Sequence, residues 1–125
     1  MLTPEQIAGK TEASHQMALF AWASDKPELR WMLRIGNEDN QSAARGARAK
    51  AMGLRRGVAD ILLPVPAHGL CGLWLELKYG RNKQSPDQIA FADAMRAAGY
   101  GYCLAYSWQE AAGIINLWMG KSWGI

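Results

Sequence analysis

The sequence has little of what several protein classes require. It contains two cysteines, Cys71 and Cys103, far apart in the chain. A disulfide framework in so short a chain needs more, so both read as free thiols in a reducing compartment. The two histidines, His15 and His68, lack the partners of a zinc site, and His15 is expected on a helix surface. No apolar run is long enough to span a bilayer. The opening stretch MLTPEQIAGKTEASHQ has no apolar signal region. These absences predict a soluble, cytoplasmic protein with no membrane partner. There is no Gly-rich phosphate loop of the Walker type, and no linker, repeat or low-complexity tract. The expectation is a single domain over residues 1–125, large enough for one core.

One further absence is local. Residues 45–56 carry Arg45, Arg48, Lys50, Arg55 and Arg56 and no acid. Lys78, Arg81 and Lys83 follow later, so eight of the fourteen lysines and arginines fall in two short segments. The net charge of +3 is mild, but this clustering points to a polyanionic partner as well as to a solvated face.

Start and stop signals give the elements. Thr3-Pro4-Glu5-Gln6 opens a short helix that Gly9 breaks, and a longer helix is expected from Thr11 to Ala23. Trp31 to Ile35 reads as a strand, residues 36–40 as a turn, and Gln41 to Met52 as a helix stopped by Gly53. Val58 to Leu63 and Cys71 to Tyr79 read as strands of a hairpin. Ser85-Pro86-Asp87-Gln88 caps a helix expected to end at Gly99. Tyr100 to Tyr106 is a strand, and a last helix follows Ser107 to about Met119. The order predicts an α/β domain with a central mixed sheet flanked by helices.

Some polar residues stand where apolar ones belong. In LWLELKYGR, residues 73–81, Leu73, Leu75 and Leu77 share one strand face, and Trp74, Glu76 and Lys78 share the other. Asp60 sits among Val58, Ile61, Leu62 and Leu63. If the two strands are neighbours, Asp60 and Glu76 lie side by side. Two close carboxylates repel unless a proton or a cation neutralises them, and an oxygen-only pair suits Mg²⁺ or Mn²⁺. Glu12 and Gln16 lie on the stripe of their helix that also carries Leu19 and Ala23, and Gln88 is the polar end of the Phe91, Ala92 and Met95 stripe. Each also has a plain structural reading. Glu12 suits a first turn, Gln88 a capping box, Asp60 a strand end, and Glu76 a pair with Lys78. Trp74 suits core packing or a substrate contact. Trp118 and Trp123 suit a cover for the core edge or an exposed subunit interface.

Gly57-Val58-Ala59-Asp60, then fifteen residues, then Glu76-Leu77-Lys78 resembles the PD-(D/E)xK nuclease signature, a restriction-endonuclease-like core. Together with Thr11-Glu12 and Gln16, Asn37, the basic helix, Arg55-Arg56-Gly57 and Ser85-Pro86-Asp87-Gln88, the chain resembles a stand-alone VRR-NUC domain of phage or bacterial type. The resemblance spans residues 11–110. Ala59 departs from it, standing where the family usually has proline.

The resemblance implies that Glu12, Asp60 and Glu76, with the backbone carbonyl of Leu77, hold Mg²⁺ or Mn²⁺. It implies that Lys78 assists the water nucleophile and the charge building on phosphate, and that Gln88 lines the site. It further implies a metal-dependent, structure-selective DNA endonuclease that acts on four-way (Holliday) junctions as a homodimer, in the cytoplasm of a bacterial or phage-infected cell. A DNA-binding module that keeps the fold without cutting, and a nuclease preferring flaps, nicks or other DNA, remain alternatives. Arg45, Arg48, Lys50, Arg55, Arg56, Arg81 and Lys83 are the expected DNA contacts. Replacing two of the five bases between 45 and 56 with alanine is expected to weaken all DNA substrates alike. It should also flatten the plot of log K against log salt by about one unit per lost contact. An unchanged slope with a loss on one sequence alone would mean that these side chains read bases.

Overall fold

The computed structural model describes residues 1–35 and 43–125. The expected turn at 36–40, including Asn37, Glu38 and Asp39, lies outside the described residues. Helix α1 is Pro4–Ile7, and its Thr3 and Gln6 close the capping box written in the sequence. Helix α2 runs Glu12–Ala23 behind its Thr11 cap. A 3₁₀ turn at Pro27–Leu29 leads to strand β1, Leu33–Arg34. Helix α3 is Ala43–Ala51, strand β2 Ile61–Leu63 and strand β3 Leu73–Leu77. Helix α4 is Pro86–Ala97, strand β4 Gly101–Ala105 and helix α5 Trp108–Met119.

The four strands lie in the order β1-β2-β3-β4. β1–β2 and β2–β3 are antiparallel, with Ile61 opposite Leu75, and β3–β4 is parallel, with Leu75 opposite Cys103. The mixed sheet and the 58–79 hairpin are therefore as expected. A parallel pair needs a crossover, and α4 supplies it.

The alternation of β3 decides the layers. Leu73, Leu75 and Leu77 are fully buried with Ile61 and Leu63 against Ala18, Leu19 and Trp22 of α2 and Ala111, Ala112 and Ile115 of α5. The opposite face carries Trp74 and Tyr102, packed with Ala59, Phe91 and Ala92 under α4. Trp74 meets Phe91 edge-on, with ring centroids 5.0 Å apart, so the packing reading of Trp74 is the one realised. The sheet thus has helices on both faces.

Two strands are shorter than expected, each for a local reason. β1 begins only at Leu33 because the 3₁₀ turn carries through, with Met32 N–H donating to Leu29 O. β2 begins only at Ile61 because the preceding loop is pressed on α4. Gly57 is buried with φ +84, and a Cβ there would stand 2.3 Å from Asp87 O and 2.8 Å from Gln88 N. Only glycine fits both the backbone angle and the space. The C-terminal tryptophans cover the core edge. Trp118 Nε1 donates to Val65 O at 2.8 Å, and Trp123 meets Trp22 edge-on at 6.0 Å.

Gly57→Ala is expected to destabilise the fold by about 2–4 kcal/mol, from left-handed strain plus overpacking. Urea unfolding reads this as a lowered midpoint. Gly46→Ala, in α3 with nothing within 4 Å of its added Cβ, is the control and should change little. Equal midpoints for the two variants would mean that the 57–60 loop does not depend on this contact.

Candidate active site

The site is built where β2 ends and β3 continues. Backbone N–H groups of successive strand residues point to opposite sides. Lys78 N–H goes to Ala105 O of the β4 side at 2.8 Å, so Leu77 N–H faces the side that β2 has left. The Asp60 carboxylate stands in for the missing strand partner: its Oδ2 accepts from Leu77 N–H at 2.9 Å. The Asp60 carbonyl accepts from Ile35 N–H at 2.8 Å, so both ends of the residue are held. Leu77's carbonyl shares the side of its N–H and therefore lies toward Asp60.

Glu76 and Lys78 are buried on the α4 face, at 2 % and 7 % exposure. Lys78 Nζ lies 3.6 Å from Glu76 Oε2. Gln88 joins them: its Oε1 accepts from Lys78 Nζ at 3.0 Å and its Nε2 donates to Glu76 Oε2 at 3.3 Å. The same Oε1 accepts from Ser85 N–H at 2.8 Å, and Gln88 N–H donates to Ser85 Oγ at 3.2 Å, which is the α4 capping box. Gln88 thus closes the capping box and bonds both Lys78 and Glu76.

Burial first, and then the charge and hydrogen-bonding of Asp60, push the Glu76 carboxyl up to about 8 against the opposing pull of Lys78. Without a cation the two carboxylates therefore keep a proton. Burial, with Glu76 behind it, likewise pushes the Tyr102 phenol up to about 12, while Tyr102 Oη accepts from Gln84 Nε2 at 2.9 Å.

Glu76 Oε1 is buried with no hydrogen-bond partner, a costly state for a carboxylate oxygen. With Asp60 beside it and the Leu77 carbonyl on the same side, this donor set fits a hard divalent cation. Mg²⁺ is commonly held by one or two carboxylates, with water and phosphate oxygens completing the shell. Among the described residues no group of three His, Cys, Asp or Glu side chains is placed to hold an ion. Glu12, the first residue of α2, instead accepts from Asn82 Nδ2 at 2.7 Å through its Oε2. Gln16 lines a shallow groove with Met17, Phe20 and Arg34. The structure thus brings Asp60, Glu76, Leu77, Lys78 and Gln88 together, and ties Glu12 to the loop after β3.

The bases lie at the surface. Arg45, Arg48 and Lys50 are exposed on α3, Arg55 and Arg56 after it, and Arg81 and Lys83 between β3 and α4. Arg55 Nη1 donates to Lys50 O and Leu54 O, closing the end of α3. His15, expected at the surface, is buried: Nδ1 accepts from Trp108 N–H and Nε2 donates to Gly9 O, each at 3.0 Å. A backbone donor and acceptor on either side make that burial affordable. Sequence reasoning missed Asn82, Tyr102 and Gln84, whose polar types are ordinary for a loop or an edge strand.

A solved structure described as a VRR_NUC domain protein matches this one with a TM-score of 0.79. The chain has the VRR-NUC fold. The match covers 90 % of this chain and 91 % of the other, at 19 % sequence identity. No protein-family model matches the sequence, and no curated protein does. Among the described residues no helix is long and apolar enough to cross a membrane.

The raised Glu76 carboxyl sets a pH dependence. The unfolded chain releases that proton near 4.5 and the folded chain holds it to about 8, so the folded state binds the extra proton between the two. Stability of the metal-free protein is therefore expected to fall as pH rises through this window. Asp60→Asn keeps an oxygen for Leu77 N–H and removes the repelling charge. It should raise the metal-free Tm at pH 8 by a few degrees and flatten the pH slope. A lower Tm at pH 8 would show that the pair is not electrostatically strained.

Proposed function

We propose that this protein is a divalent-metal-dependent endonuclease that hydrolyses DNA phosphodiester bonds. The observation that carries the reading is the buried Asp60–Glu76 pair with an unpartnered carboxylate oxygen, beside a buried lysine held by Gln88. A structural role does not need an acid pair that strains its own protonation. Asp60, Glu76 and the Leu77 carbonyl would hold the cation, with Glu12 as a further ligand once it exchanges Asn82 for the ion. A bound Mg²⁺ or Mn²⁺ supplies a lowered pKa for water and polarises the phosphate. Lys78 places its ammonium where charge builds on the phosphate, and Gln88 fixes that ammonium in direction. Arg45, Arg48, Lys50, Arg55, Arg56, Arg81 and Lys83 would hold phosphates away from the cut.

The reading extends to four-way junctions and a homodimer. One chain offers one such centre and cuts one strand at a time. A four-way junction is approximately two-fold symmetric and needs two matched cuts, and a two-fold homodimer supplies two centres in that relation. The VRR-NUC likeness of the fold supports the nuclease class.

The test is incubation with Mg²⁺ or Mn²⁺ and a panel of linear, flap, nicked and four-way DNA. Asp60→Asn is expected to abolish cutting and leave DNA binding largely intact. Lys78→Ala should slow cutting by roughly 10²–10³, the scale of losing one charge stabiliser. Mixed dimers of wild type and Asp60→Asn should nick junctions without resolving them. Undiminished cutting by Asp60→Asn would remove the centre from the reaction, and paired cuts by a strictly monomeric species would remove the dimer.

A further inference from the structure

Of the six tryptophans, Trp22 and Trp108 are buried, and Trp74, Trp118 and Trp123 are half-buried against named partners. Trp31 is 66 % exposed. Its backbone is fixed all the same. Leu29 and Met32 on either side are buried, and the 3₁₀ turn bonds Arg30 N–H to Pro27 O and Met32 N–H to Leu29 O. A rigid, outward-facing indole is costly to leave in water and is well formed for a flat partner.

The surroundings say which partner. The Arg30 guanidinium lies 4.8 Å from the Trp31 ring centroid, and Arg30 and Arg34 are both exposed. Among the described residues the acids closest in sequence are engaged: Asp25 with Lys26 at 2.9 Å and Glu28 with Lys121 at 3.3 Å. Among the described residues neither Arg30 nor Arg34 has an acidic partner; Arg30 lies against the indole, and Arg34, three residues beyond Trp31, lines the groove with Gln16, Met17 and Phe20. A second copy would bring the same arginines against their own images if it docked here about a two-fold axis. The edge strand β1 is two residues long and offers little ladder to another chain. An exposed indole with one guanidinium against its ring and a second arginine nearby in sequence fits a nucleobase attached to its phosphates.

Its position relative to the carboxylates gives the inference its content. Ile35 N–H is bonded to Asp60 O, and the chain runs only four residue steps from Trp31 to Ile35. That chain spans no more than about 14 Å, or roughly four base-pair steps of duplex. We propose that Trp31 is a stacking platform for an unpaired nucleobase, set within a few nucleotides of the bond that is cut, with Arg30 and Arg34 on the adjoining phosphates. This rests on the nuclease reading above and adds that the protein engages an unpaired base wherever a branched DNA presents one beside the duplex.

The experiment measures binding by fluorescence anisotropy in the Asp60→Asn background, where strands stay whole. Three DNAs are compared: a plain duplex, the same duplex with one unpaired nucleotide at a flap, and that flap with an abasic residue in its place. Trp31→Ala should weaken the unpaired-base DNA by about tenfold and leave the other two unchanged. Trp31→Phe should recover most of the loss. An equal loss on all three DNAs, no loss on any, or a change in mass by light scattering without DNA would each overturn the platform, the last in favour of self-association. If the Trp31-intact protein binds none of the three DNAs and no four-way junction run beside them, the nuclease reading falls with it. If that protein binds all three and Trp31→Ala does not discriminate, only the platform falls.

Discussion

The burial of Glu76 beside Asp60 is the constraint from which the arrangement follows. An acid at 2 % exposure in the middle of a central strand needs partners on every side. Gln88 donates to it, Lys78 stands 3.6 Å away, and Asp60 forces a proton or a cation into the gap. Each partner is placed by a separate device. Lys78 follows from strand alternation. Gln88 is fixed by the capping box of α4. Asp60 depends on the loop that Gly57 locks onto the first turn of that same helix. Moving α4 would thus move both the glutamine and the aspartate, and the four side chains behave as one unit.

Such a centre opposes folding, and the fold offsets it on the other side of the same strand. Leu73, Leu75 and Leu77 are fully buried with Ile61 and Leu63 in the apolar cluster between α2 and α5. Completely burying a leucine is favourable by about 1.5–3 kcal/mol. A few of them outweigh one awkward carboxyl. Strand β3 therefore anchors the sheet with one face and carries the buried Glu76 and the adjoining Lys78 on the other, and a single period-two pattern writes both.

That pattern is why most of the fold was legible in the sequence. Caps at Thr3, Thr11, Ser85 and Ser107 mark helix starts because each side chain accepts a backbone N–H of its own first turn. Alternation marks β3 because a strand has two faces. Asp60, Glu76, Lys78 and Gln88 were legible as a set for the same reason: their polarity violates the local pattern. What was not legible depends on contacts between distant segments. The start of β2 is set by Gly57 against Asp87, thirty residues on. His15 is drawn inside by Gly9 and by the distant N–H of Trp108. Glu12 finds Asn82 across 70 residues of chain. No local periodicity reports such a partner.

The tryptophans make the same point from the opposite direction. The sequence leaves Trp118 and Trp123 as a cover for the core edge or as a subunit interface. Their indoles are drawn inward over the core edge, Trp118 by Val65 O and Trp123 by the edge of Trp22. Asn116 adds to the hold on Trp123, bonding both its N–H and its carbonyl. Trp31 had every local reason to be a strand residue, flanked by Leu29, Met32 and Leu33. Yet the 3₁₀ turn rotates it out while burying Leu29 and Met32. Exposure of a large aromatic is thus decided by the turn that precedes it and not by its own neighbours. An indole held outward by this turn, against an arginine that has no acidic partner among the described residues, is a feature of the molecule's surface and not a failure of its core.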